Sequence, residues 1–180
     1  TNVDESKLDT AWNNFYPNYF DSFNSDELTQ HVEILTQNND NTAVKLLTDE
    51  NDTTNLLIYT KDRPNVFAAT IGILDSEDIN FLDAKLFGMK NGYCFDCLKI
   101  SDHEGRSLKD KSLQTKRILS KLKMALDKKT IDPRMVNKRI PRHLKHFNLK
   151  TSIKVEHDMK NRWTQLDIKT MDRPGLLASV

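Results

Sequence analysis

The chain has no apolar run approaching membrane-spanning length and only two cysteines, Cys94 and Cys97, which excludes a transmembrane helix and a disulfide framework. It carries no signal-peptide pattern, so a soluble, cytoplasmic protein is the expectation. Catalytic signatures are missing too: there is no G-x-S-x-G, no Gly-rich phosphate loop and no Asp-x-Asp pair. Charge of either sign is also nearly absent in the sum, which is +1, but the balance is local. Residues 103–162 hold 18 Lys/Arg against 6 Asp/Glu, while the remainder is acidic. A solvated helix face followed by a basic linker accounts for this block, and an RNA- or protein-binding module is the alternative.

What is present is a repeat. DRPNVFAAT at 62–70 and DRPGLLASV at 172–180 lie 110 residues apart. Each follows an alternating run: Leu56, Ile58 and Thr60 before the first, Leu166, Ile168 and Thr170 before the second. Period-two alternation marks a strand. The apolar residues after each Pro recur at helical spacing, and Pro is favoured at the first helical position. The repeated unit reads as strand, tight turn, helix. The second copy breaks off in its helix and the chain starts at Thr1 rather than Met, so the chain is read as a piece of a longer protein. At 180 residues it can build one domain or two small ones.

The first 40 residues lack glycine and space Trp12, Phe15, Tyr16, Tyr19, Phe20 and Phe23 at three- and four-residue intervals, as a buried helical stripe requires. Pro17 interrupts one continuous helix there. A second helix is expected from Ser25 as N-cap, with Leu28 and Val32 on one face. Strands are expected at TAVKLLT, NLLIYT, INFLDAKLFGMK, YCFDCLKIS and TSIKVEH, with helices after Asp62-Arg63-Pro64 and over 113–126. Asn91-Gly92 between two strand-like runs signals a type I′ hairpin.

Three candidate chemical motifs are weak. Cys94 and Cys97 match C-x-x-C, but a spacing of three along a strand sends them to opposite faces, and no second pair completes a zinc site. Glu27 and His31 are four apart on a helix without a third ligand and are expected as a surface contact. His157-Asp158 lacks the separate helical histidines of metal-dependent phosphohydrolases. The stronger candidate is the repeated turn. First-turn amides of a helix have no intrahelical partner and attract an anion, unless Asp62 and Asp172 simply cap their helices.

The order strand, helix, strand, strand, helix, strand over 54–158, with Asp-Arg-Pro-Gly-Leu opening the second copy, resembles the ACT domain family of amino-acid-binding regulatory modules. The ordered set YTKDRPNVFAATIGILDSEDINFLDAKLFGMKNGYCFD, RIPRHLKHF and DRPGLLASV is similar to the C-terminal region of the bifunctional uridylyltransferase and uridylyl-removing enzymes acting on PII. AWNNFYPNYF and DELTQHVEIL resemble the helices that join the phosphohydrolase domain of that family to its ACT pair. The resemblance implies an α+β, ferredoxin-like βαββαβ ACT domain. It would be preceded by a helical linker over 1–40, occupy 41–159 with a basic linker at 128–150, and be followed at 160–180 by the truncated start of a second ACT domain.

Functionally, the resemblance implies a glutamine-sensing region. Its parent enzyme would add UMP to PII from UTP and remove it again, with both catalytic domains and a divalent metal such as magnesium held elsewhere, so that this chain itself is expected to be inert as an enzyme. In ACT domains the effector lies between the first turn of one domain and the second strand of another. Carried onto this sequence, that implies Asp62, Arg63, Asn65, Val66 and Asn80, with Asp172, Arg173, Gly175 and Leu176. Asn65 stands where the family usually has glycine. Self-association through the strand at 164–170 is a further expectation, and a purely structural dimerisation domain is a third functional reading.

Overall fold

Leu57 and Tyr59 stand between the alternating residues of NLLIYT, so this strand is apolar on both sides and can only sit inside a sheet covered on both faces. In the computed structural model, which describes residues 5–37, 41–48, 53–108, 112–131, 150–160, 163–171 and 176, it does. The elements run α1 (Glu5–Asn13), α2 (Pro17–Phe20), α3 (Ser25–Gln37), β1 (Ala43–Thr48), β2 (Thr54–Lys61), α4 (Val66–Ser76), β3 (Asn80–Gly88), β4 (Tyr93–Ser101), α5 (Leu113–Leu126), β5 (Ser152–Asp158) and β6 (Trp163–Lys169). The architecture is α+β. One antiparallel sheet has the order β1-β2-β4-β3, and β5 and β6 form a second sheet of two strands.

Leu56, Ile58, Cys94, Leu98 and Ile100 point to the face covered by α4 and α5, where Ile73, Leu74, Ile118, Leu122 and Leu126 complete the core. Leu57, Tyr59, Phe95 and Cys97 point the other way, onto Phe15, Tyr19, Phe23, Ile34 and Leu35 of the N-terminal helical segment. Helices thus cover both faces, rather than one as the βαββαβ order suggests. Pro17 opens the short α2 and so separates it from α1. Asn24, one residue before the expected cap, closes the start of α3. Its Oδ1 accepts from the amides of Asp26 and Glu27, while its own amide donates to Glu27 Oε2 at 2.9 Å, a reciprocal capping box.

Two expectations about strands are corrected. The βαββαβ order puts the strand at 152–158 beside β2 to close the sheet; that edge belongs to β1, antiparallel and in register from Ala43↔Tyr59 to Thr48↔Thr54. The reason is proximity along the chain: β1 ends at Thr48 and β2 begins at Thr54, and antiparallel strands so near in sequence pair at little entropic cost. At the hairpin, only Gly92 of the Asn91-Gly92 pair has positive φ, at 78°. A type I′ turn needs both. The connection is instead a longer one in which Gly92 donates to Met89 O at 3.2 Å and Met89 donates to Tyr93 O at 2.8 Å.

β5 and β6 repeat β1 and β2. Val44↔Ile58 and Leu46↔Leu56 face each other in the first pair, Ile153↔Ile168 and Val155↔Leu166 in the second. Each pair ends on a threonine couple: Thr42 Oγ1 and Thr60 Oγ1 lie 2.9 Å apart, Thr151 Oγ1 and Thr170 Oγ1 2.8 Å. The repeat visible in sequence from residue 55 therefore starts one strand earlier. Leu56 and Ile58 are fully buried, whereas Ile153, Val155 and Leu166 are exposed. The strand at 164–170, expected to seek a partner, has one in β5 along one edge.

His31 is not the surface residue its pairing with Glu27 suggests. It is 3% exposed, hydrogen-bonded through Nδ1 to the Tyr19 hydroxyl at 2.9 Å, and set against Phe23 and Phe95. Burial lowers its pKa to about 4 against an ordinary 6.5, with Lys85 adding to the shift and Glu27 opposing it. The folded state thus resists protonation, so the stability is present above pH 6.5 and is lost as the pH falls from 6.5 to 4. We expect His31→Gln to abolish this dependence. Measured as a difference between the two chains, the parent's advantage shrinks by on the order of 3 kcal/mol over that window, which urea unfolding at a series of pH values checks.

Candidate functional site

The Asp62–Val66 turn is built around a left-handed residue. Asn65 has φ 72° and is the N-cap of α4, a conformation open to Gly and, among other residues, chiefly to Asn and Asp. That explains why Asn65 and Gly175 occupy the same place in the two sequence copies. It also explains why α4 starts at Val66 rather than at Pro64, since a left-handed residue cannot continue into a helix. No side chain caps α4. Asn65 Nδ2 donates to Ile131 O at 3.4 Å instead. Asp62, the expected alternative cap, is held by its backbone amide donating to Gly92 O at 3.0 Å. The first-turn amides of α4 are therefore without a side-chain partner.

They open onto a cleft of about 480 Å³ lined by Asp62, Arg63, Asn65, Val66, Phe67, Ala68, Leu86, Phe87, Gly88, Cys94 and Asp96. Four of the sequence-predicted residues meet here: Asp62, Arg63, Asn65 and Val66. Gly88 lines the floor beside Asp62, where a Cβ would meet Asp62 Oδ2 at an ordinary contact distance of 3.8 Å. Asp96 is the residue that sequence reasoning missed. It is 4% exposed, and its carboxyl makes no hydrogen bond among the described residues. Burial and the nearby Asp62 carboxylate raise its pKa to about 7, against an ordinary 3.8. A sequence signal did exist: Asp96 sits at the helix-facing parity of an otherwise apolar strand, between Cys94 and Leu98.

Arg63 lines the cleft but spends its guanidinium elsewhere. Nη1 donates to Lys128 O and Nη2 to Leu126 O, which closes the C-terminal end of α5 with a cation where the helix dipole favours one. Removing these two charge-assisted bonds has a direct consequence. Arg63→Ala should lower stability by about 2 kcal/mol, with hydrogen exchange accelerating first in the last turn of α5.

Asn80 is not part of the cleft. It begins β3 opposite Ser101, whereas Gly88 at the cleft lies opposite Cys94, so the two are roughly 25 Å apart along the strand. Asn80 Nδ2 donates to Asp102 O at 3.0 Å. Asp172, Arg173 and Gly175 lie outside the described residues; Leu176 is half-buried in a turn.

The other candidates resolve structurally. Cys94 and Cys97 are free, buried and on opposite faces. Burial pushes their thiols up to about 12 and about 11, far from the reactive thiolate range. His157 Nδ1 pairs with Thr164 Oγ1 at 3.0 Å and Asp158 Oδ1 accepts from the Lys160 amide at 2.9 Å. Among the described residues no group of three His, Cys, Asp or Glu could hold a metal ion, and no helix is long and apolar enough to cross a membrane. Of the basic block, Arg117 and Lys121 on α5 both bind the buried Glu77, at 2.6 Å from Arg117 Nε and 2.5 Å from Lys121 Nζ. Burial opposes ionisation of Glu77, but these bonds and charges outweigh it and hold the carboxyl below its ordinary range.

No protein-family model matches the chain. Among curated proteins it is similar to the bifunctional uridylyltransferase/uridylyl-removing enzyme of Acinetobacter baylyi, 29% identical over 188 residues that cover 100% of this chain and 21% of the relative. The enzymes of the same name from Acinetobacter baumannii and Photobacterium profundum are each 28% identical, over 96% and 97% of this chain and 20% of each relative. The chain thus spans about a fifth of the length of the curated relatives it matches, and it is similar, over nearly its whole length, to one region of bifunctional uridylyltransferase/uridylyl-removing enzymes.

Proposed function

We propose that the chain is the glutamine-sensing, ACT-type regulatory region of a bifunctional enzyme that uridylylates and deuridylylates the PII nitrogen-signalling protein in the cytoplasm. The observation that carries this reading is the cleft at the Asp62–Val66 turn. Uncapped first-turn amides of α4 suit a carboxylate, and the acidic Asp62 and Asp96 suit an ammonium group. An α-amino acid presents both charges a few ångströms apart. Glutamine, among amino acids, is what the resemblance of the sequence to ACT-type regulatory regions implies. On this reading UTP and a divalent metal are used by the catalytic parts of the enzyme. Glutamine bound here would bias those parts toward removal of UMP. Pairing through exposed strand edges would bring a second ACT unit to the effector.

Titration with L-glutamine followed by amide NMR tests the reading. Saturable shifts confined to residues 62–68 and 86–96 are expected in the millimolar range or tighter. Unmoved amides across that range would remove the proposal.

A further inference from the structure

The cleft holds one group whose presence its packing does not explain. Asp96 replaces an apolar residue on the helix-facing side of β4, between Cys94 and Leu98, where every other position of that parity belongs to the core. It is 4% exposed and lines the cleft, yet no donor among the described residues reaches its carboxyl. A buried acid without a donor costs stability. Among the described residues the remaining surroundings do not relieve it. Leu86, Phe87 and Gly88 from β3 and Val66, Phe67 and Ala68 from α4 are uncharged. Asp62 from the turn is a like charge, and the Arg63 guanidinium is turned to α5. Cys94 on the same strand keeps its proton, since its thiol lies at about 12.

We propose that Asp96 is the ammonium-reading residue of the effector site, a buried carboxyl that none of the described residues supplies with a donor and that gains donors, and is held ionised, when the α-ammonium group of an amino acid enters the cleft between it and Asp62. This rests on the amino-acid-sensing reading and adds to it a residue and a mechanism of charge selection. The uncapped amides of α4 hold the ligand's carboxylate at the mouth, and Asp96 examines the other end. In the empty cleft the acid titrates near 7 because of burial and Asp62. Below that pH the ligand must therefore displace a proton from Asp96 to bind, and affinity falls by up to about tenfold for each pH unit.

The test is calorimetry of L-glutamine binding to the chain at pH 6 in two buffers of different ionisation enthalpy, which counts protons released. The parent chain should release close to one proton per ligand. Asp96→Asn should release none and bind about ten- to a hundredfold more weakly. Asp62→Asn, by removing the like charge, should reduce the proton count at pH 6. The 2-hydroxy analogue of glutamine, which lacks the ammonium group, should bind the parent chain and Asp96→Asn with the same weak affinity. Equal glutamine affinity in the parent and in Asp96→Asn, with no proton release, would overturn the role of Asp96 and leave amino-acid sensing standing. Absence of any binding to the parent chain would overturn both.

Discussion

Asp96→Asn should melt about 4–8 °C above the parent chain at pH 7.5 in the absence of ligand. The sign comes from linkage. An acid whose folded value is raised from 3.8 to about 7 favours the folded state only while protonated. Its contribution is complete below pH 3.8 and is lost as the pH rises from 3.8 to 7. At pH 7.5 the parent chain carries that loss, whose ceiling is on the order of 4 kcal/mol. An amide carries no charge to desolvate, although it brings hydrogen-bonding groups of its own that find no partner, so about 2 kcal/mol of gain is expected. For a chain of this length each kcal/mol is worth roughly 2–4 °C. The gap should close as the pH is lowered toward 4, where the parent carboxyl is protonated as well. His31 titrates over much the same window with the opposite sign, but it is present in both chains and drops out of the difference. A variant that is more stable and binds less well would mark Asp96 as a group kept for function at a cost to folding. A melting temperature unchanged or lowered at pH 7.5 would mean that Asp96 is neutral or paired in the folded chain.

Phe95→Ala should lose about 3–5 kcal/mol, and the loss should be felt first at the opposite end of the sequence. Phe95 is fully buried on the face turned to the N-terminal helices. Its ring lies 5.9 Å from those of Phe15 and Tyr19 and 4.9 Å from His31. Removing it opens a cavity between the sheet and α1–α3. Leu57, Tyr59, Phe87 and Cys97 also pack on those helices, and bonds such as Lys90 Nζ to Asn13 O at 2.9 Å and the Lys90 amide to Asn14 O at 2.8 Å hold their edge, but Phe95 is the sheet residue whose ring meets Phe15, Tyr19 and His31 together. Hydrogen exchange should therefore accelerate across residues 5–37 before it does in α4 or α5. Leu98→Ala is the control, because Leu98 is equally buried but faces α4 and α5. Its cost of about 2–5 kcal/mol should appear as faster exchange in α4 and α5. If both variants loosen the same helices, the two faces are not independent cores.

Much of this arrangement is legible in the residues. The alternating strands, the amphipathic α5, the break at Pro17, the opposed cysteines and the special turn at 62–66 are all written in local patterns of two, three or four residues. What is not legible depends on partners distant in sequence. Leu57 and Tyr59 are apolar at the positions that strict alternation leaves for solvent; they announce a second buried face but not that α1–α3 supply it. His31 reads as half of a surface pair because its spacing from Glu27 is local, whereas Tyr19 and Phe95 reach it from other elements. The choice between β1 and β5 as neighbour of β2 is a matter of loop length rather than strand pattern. Asp96 hides within a strand whose hydrophobicity makes one carboxyl look incidental. Its meaning appears only when the turn at Asp62 and the bare backbone of Gly88 are brought beside it.

The threonine couples at the ends of the two hairpins bear on how such a chain could have arisen. Thr42 with Thr60, and Thr151 with Thr170, bracket equivalent pairs of strands, so the repeated unit begins with the strand that closes the sheet's own flank. A segment duplicated from that point carries its closing strand with it and needs none from its sibling. Two descendants of one such segment can then drift apart, one keeping Asn where the other keeps Gly, without either unpicking the hydrogen-bond ladder of the other.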